Sequence, residues 1–179
     1  MSGREIIYEL DEKNRIHRIQ GPWDQFLNQN PPLIGQCDHV LRDRVLGQRL
    51  EPFILDDNTR MFFTTVFQSV RQTLRERRIE YRCDSPDEKR FMCVIIEPIG
   101  RGKLRLIHQC LKTEPMAPPV VITPALEEEQ AETVRCSICN RIEFQGIWME
   151  PDIVSERENR TRFMVSYTVC PLCQNQLGE

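Results

Sequence analysis

No stretch of this 179-residue sequence approaches the roughly 18–20 consecutive apolar residues that a bilayer-crossing helix needs, so no membrane-spanning role is expected. The N-terminal MSGREIIYELDEKNR has neither the basic start nor the apolar run of a secretory signal, which makes the cytoplasm the expected compartment and reduced thiols the expected state. Positive charge is not in excess either. A net charge of −3 and a pI near 5.7 argue against nucleic acid as the principal partner, since such binders carry a strong positive field. There is no nucleophile elbow, no phosphate-cradling glycine loop and no metalloprotease helix motif, so nothing supports an enzymatic activity. Internal repeats and low-complexity tracts are missing too, and no kinase or cyclase output segment follows.

What the sequence does contain is cysteine, eight residues of it. In a reducing compartment that number points to metal binding or buried packing rather than to a disulfide framework. Cys136-Ser-Ile-Cys139 and Cys170-Pro-Leu-Cys173 are two CxxC knuckles separated by thirty residues. Each knuckle lets two thiolates converge on one ion, and together they supply the four soft ligands of a closed tetrahedral zinc site. Iron is the rival ion, because a CxxC and a CPxC at this separation also resemble a rubredoxin, which would make the tail an electron carrier. Unligated thiols or an occasional disulfide are the remaining alternatives. With four protein sulfurs in the shell no position is left for substrate or activated water, so the expected metal is structural.

Between the knuckles, Ile142, Phe144, Ile147, Trp148, Met149, Phe163, Val165 and Tyr167 suffice for a mini-core but not for a self-sufficient one. TRFMVSYTV reads as the strand that delivers Cys170. Of the other cysteines, Cys83, Cys93 and Cys110 fall in expected strands and suit core packing. Cys37 and His39 are a thiol and an imidazole close in sequence, a weak signal for metal, haem or a nucleophile pair.

The rest of the chain has a readable order. Ile6, Tyr8 and Leu10 alternate, DEKN turns and RIHRIQ follows, so residues 5–20 predict a β-hairpin. WDQFLNQN and the segment 43–54 favour short helix. A long helix is expected over 57–78, with Phe63, Val66, Phe67, Val70 and Leu74 at helical spacing and Arg71, Arg75, Arg77 and Arg78 as a basic face near its end. That patch reads first as a solvated, ion-paired face and second as a dock for an acidic partner or nucleic acid. IEYRC, RFMCVIIEPI and KLRLIHQCLK, divided by DSPDEK and GRG, predict an antiparallel meander. PMAPPVVITP places four prolines in ten positions and reads as a linker. After it, Thr123, Pro124 and Glu127 to Glu129 predict a short acidic helix over about 124–135.

The expected class is therefore α+β: a five-stranded antiparallel sheet with helices on one face over residues 5–114, a Pro-rich linker and acidic helix over 115–135, and a small four-cysteine module over 136–179. The first region, with Leu46, Gly47, Gln48 and Leu50 entering a short helix, then the long helix and YRCDSPDEKRFM opening the last hairpin, resembles a bacterial PAS sensor domain. The resemblance implies a concave sheet face able to enclose a small ligand or to support dimerisation. The asparagine-cysteine-arginine-phenylalanine run of flavin-binding members is missing, the nearest residues being DRVLGQRL. Haem-binding members carry a histidine on the long helix; here only His17, His39 and His108 exist, none of them on it, so haem or another PAS ligand is unsupported. Phe63 and Phe67 would line an apolar pocket or fill a core.

The tail resembles cysteine-rich C-terminal extensions of some bacterial signalling proteins, with Cys136, Cys139, Trp148, Cys170, Pro171 and Cys173 at the matching positions, and is expected to fold as a zinc-ribbon-like unit. Together these resemblances imply a cytoplasmic bacterial signalling or adaptor protein with a protein partner, a homodimer foremost. The alternatives are a nucleic-acid-binding regulator using the zinc module and the arginines, and the iron redox carrier.

Overall fold

A computed structural model describes residues 5–22, 45–54 and 56–175. The helical turns expected at 23–30, and Cys37 with His39, lie outside the described residues.

The N-terminal alternation forms the hairpin it predicts, with β1 over Ile6–Leu10 and β2 over Ile16–Gln20. Its turn closes because the Asp11 carboxylate accepts the Lys13 and Arg15 amides, each at 2.8 Å, while Asn14 takes the left-handed conformation at φ 59°. The meander follows as β3 (Arg77–Arg82), β4 (Glu88–Pro98) and β5 (Leu104–Pro115). These strands form one antiparallel sheet in the order β2-β1-β5-β4-β3. The first hairpin thus docks against the last strand, and Ile6, Tyr8 and Leu10 pair with His108, Leu106 and Leu104 on one face. This sheet, with its one long helix, is a PAS-like fold.

Helix α1 spans Asp57–Thr73 and covers that face. Asp56 caps it by accepting the Thr59 amide at 2.9 Å, and Thr59, Phe62, Val66, Phe67 and Val70 form its buried stripe. The stripe packs on Leu10, Ile79, Val94, Ile96, Leu104 and Leu106, and each such side chain contributes about 1.5–3 kcal/mol by leaving water. Arg71 ties the far end of the helix to both turns beneath it, donating to Gly102 O at 2.8 Å and to Asn14 Oδ1 at 2.7 Å. The helix stops at Leu74, which is left-handed at φ 53° and donates its N–H to Val70 O. It is therefore shorter than the expected 57–78. Arg77 and Arg78 belong to β3, so the four arginines do not make one helical face. Of the segment 43–54, Val45 is helical, a 3-10 turn spans Glu51–Phe53, and residues 43–44 lie outside the described residues.

A second sheet holds β6 (Val121–Pro124), β7 (Thr133–Cys136), β8 (Ile142–Phe144), β9 (Ile147–Met149) and β10 (Arg162–Thr168) in the order β6-β10-β7-β8-β9. β10 runs parallel to both neighbours, and helix α2 (Pro151–Glu158) makes the crossover into it. Met116, Val120, Ile142, Val154, Phe163 and Val165 are its core.

Here the expected linker and acidic helix are corrected. Residues 121–124 are strand, and the acidic run holds only the 3-10 turn Glu128–Gln130. Proline is tolerated because β6 is an edge strand, with Pro124 at its last position. Pairing with β10 and burial of Met116 and Val120 then outweigh a helical preference that three successive glutamates supply only weakly.

Candidate metal centre

The first knuckle begins where β7 ends. Cys136 is the last residue of the strand and the chain reverses over 137–140, with the Asn140 amide donating to Cys136 O at 2.9 Å and Asn140 left-handed at φ 61°. The second knuckle begins just beyond β10, where Pro171 occupies the first position of the short helix α3 (Pro171–Asn175) and one turn returns Cys173 to Cys170. Parallel pairing then joins the two. The register sets Thr168 beside Cys136, and the Ser137 amide donates to Thr168 O at 2.9 Å. Two strand ends pointing the same way therefore present both knuckles at one point.

All four sequence-singled cysteines meet there, their Sγ atoms lying within 4.8 Å of one another. Cys139 Sγ is 3.8 Å from Cys170 Sγ. A tetrahedron with metal–sulfur bonds of about 2.3 Å has sulfur–sulfur edges of about 3.8 Å, so the spacing fits one ion, and it is far from the roughly 2.05 Å of a disulfide. Cys136 Sγ accepts the Cys139 and Cys170 amides at 3.5 and 3.4 Å, the arrangement that stabilises charge on a ligating thiolate. Thiol hydrogen bonds from Cys139 and then Cys173 hold Cys136 far below the usual thiol range, and the same bond to Cys136 pushes Cys139 up to about 12 and Cys173 further. Cys136, Cys170 and Cys173 are buried, while Cys139 is half-buried.

The site is embedded in the PAS-like unit rather than hung from it. Ile138, between the first two cysteines, is buried in the same core as α1, with Cys139 and Trp148 packed against that core. The Arg82 amide, at the end of β3, donates to Ile138 O at 2.7 Å. The Ser137 hydroxyl meets that of Thr59, which donates to the capping carboxylate of Asp56, and Asn58 Nδ2 donates to Thr168 Oγ1 at 3.1 Å. Below the knuckle, Asp84 takes Arg82 at 2.7 Å and Arg135 at 3.4 Å, and Glu150 accepts Arg82 at 3.0 Å and Arg141 at 3.2 Å.

Asp84 also serves the DSPDEK turn, where it accepts the Arg90 amide at 3.1 Å. Its partner Arg135 is 51 residues away and carried no local signal. Trp148 leaves the expected mini-core for the PAS-like one, and Ile147 is exposed. Cys93 is buried in β4, and Cys110 in β5 and Cys83 just after β3 are half-buried.

His108 lies on the face covered by α1. It stacks on Tyr8 at 5.1 Å between centroids, its Nδ1 is 2.7 Å from the Tyr81 hydroxyl, and its Nε2 is buried with no hydrogen-bond partner among the described residues. Burial lowers its pKa to about 4, leaving a neutral ring with a vacant hydrogen-bonding position.

No protein-family model and no curated protein matches the chain. Solved structures do. A domain of an HTR-like protein from Haloarcula marismortui aligns over 60% of this chain and 98% of its own, with 14% identity and a TM-score of 0.41. The PAS domain of the quorum-sensing receptor RpfR from Cronobacter turicensis, in complex with BDSF, aligns over 63% and 98%, with 10% identity and a TM-score of 0.47. The photoactive yellow protein domain of the sensor histidine kinase Ppr from Rhodospirillum centenum aligns over 60% and 87%, with 11% identity and a TM-score of 0.41.

Proposed function

We propose that this chain is a signalling adaptor: the PAS-like unit responds to a small molecule or to its own dimerisation, and a zinc-stapled module carries the response to a partner protein. The observation that carries this reading is the seating of Ile138 and Cys139 in the core beneath α1, which ties the metal loop to the sensor helix. A closed four-sulfur zinc site shapes a recognition surface and leaves no catalytic position, so the protein acts by contact. A small-molecule signal is supported by the Nε2 of His108 on the inner sheet face, buried and unpartnered among the described residues, a polar atom that a bound ligand would satisfy.

Native mass spectrometry of the full chain tests this. One zinc per chain, together with a retained small molecule or a dimer, is expected. A metal-free chain, or a monomer that neither retains a small molecule nor acquires one from a metabolite extract, would overturn it.

A further inference from the structure

The four sulfurs are not equivalent. Cys136 and Cys170 are 0% exposed and Cys173 4%, whereas Cys139 is half-buried and reachable. Cys136 Sγ is enclosed by two backbone amides that donate to it. Cys139 Sγ has Cys170 Sγ beside it at 3.8 Å, in the other knuckle. Accessible thiolate character decides which cysteine an oxidant reaches, and an adjacent thiol decides whether the product is a disulfide.

We infer that Cys139 is a modification site for hydrogen peroxide, that its oxidation closes a disulfide to Cys170, and that loss of these two ligands expels the metal and frees the N-terminal end of α1. This rests on the zinc reading of the preceding section. The step balances with a peroxide as two-electron acceptor. The Cys139 thiolate attacks one peroxide oxygen, an S–O bond forms, the O–O bond breaks and hydroxide leaves, giving a sulfenic acid. The Cys170 thiolate then attacks the Cys139 sulfur, the S–S bond forms and the S–O bond breaks, releasing a second hydroxide. Two protons from solvent convert the hydroxides to water. Closing the bond draws sulfurs now 3.8 Å apart to about 2.05 Å, which a tetrahedral site cannot follow.

The consequence for the sensor unit follows from the loop between the ligands. Ser137 touches Thr59 at the cap of α1, and Ile138 O holds the Arg82 amide at the end of β3. On this inference, loss of the metal loosens the turn over 136–140 and with it both contacts.

The test titrates the full chain with hydrogen peroxide, after the zinc content of the purified protein has been measured. Released zinc is read with a metallochromic dye, disulfides by peptide mapping, and the Thr59 and Arg82 amides by hydrogen exchange. Loss of the single zinc in step with a Cys139–Cys170 disulfide, and faster exchange at both amides, is the expected result. Cys139→His, which keeps a zinc ligand but removes the oxidisable sulfur, should release zinc several-fold more slowly. Zinc retained under peroxide, a different pairing, or Cys139 carried to sulfonic acid without a disulfide would overturn the inference. If the purified chain holds no zinc, the preceding reading fails and this one falls with it.

Discussion

Asp84 and Arg135 meet at 3.4 Å although 51 residues separate them, and each side chain is only 2% exposed. Arg82, also buried, shares the same carboxylate at 2.7 Å. One aspartate on the hairpin after β3 therefore neutralises two guanidinium groups from the two sheets. Removing it leaves Arg82 with Glu150 but strands Arg135, whose other bond is to the neutral carbonyl of Asn140, and an uncompensated buried charge costs about 3–5 kcal/mol. Asp84→Ala should lower the unfolding free energy obtained from urea titration by that amount; a value within error of the parent would mean that water replaces the carboxylate.

Chelation or Cys170→Ser should remove the metal, and the damage should not stop at the module, because Ile138 and Trp148 pack into the PAS-like core. Limited proteolysis is expected to cut first near the second knuckle while the sheet over residues 5–114 stays folded with a lowered Tm. A tail that keeps its protease resistance would speak against a structural metal. The purified protein should be colourless, since zinc has no visible charge-transfer band; strong visible absorption would identify iron instead.

Helix α1 offers opposite signs at its two ends. Asp56→Ala removes the cap on the Thr59 amide and a hydrogen bond at 2.6 Å to the Thr59 hydroxyl, and should cost about 0.5–2 kcal/mol. Leu74 holds a left-handed conformation at φ 53° with 71% of its surface exposed. That conformation costs a non-glycine residue roughly 1–2 kcal/mol, and glycine's extra chain entropy returns roughly 0.5–1 of it. Leu74→Gly should therefore stabilise the chain by about 0.5–1 kcal/mol in the same urea experiment.

His108 should make stability depend on pH. Its folded pKa, lowered to about 4, lies below the ordinary 6.5, so the unfolded chain takes up a proton that the folded one refuses. Stability is whole above pH 6.5, falls between 6.5 and about 4, and levels off below. The loss is about 3 kcal/mol at most. His108→Phe should flatten that portion of the curve; an unchanged slope would mean that the ring is already wet.

Much of this was legible. The alternation of Ile6, Tyr8 and Leu10, and the turns at DEKN, DSPDEK and GRG, mark the first sheet because period-two burial and turn chemistry are local properties. The paired CxxC spacing, also local, marked the four cysteines that meet as a candidate metal centre. What escaped depends on partners distant in sequence. A proline run became an edge strand once β10 lay beside it, and PDIVSERE, with a weak apolar pattern, became α2 because Val154 had a core to enter. Arg77 and Arg78 read as helix because nothing nearby announced that Leu74 would turn the chain.

The strand that lies between β6 and β7 is the last of the ten described strands to occur in the chain. Until β10 enters, those two segments have no backbone partnership with each other, and the first pair of thiols has no opposite pair. Assembly of the second sheet and the meeting of the four thiols are thus one event, placed late by chain order. A nascent chain would hold its PAS-like strands well before it could offer a metal four sulfurs.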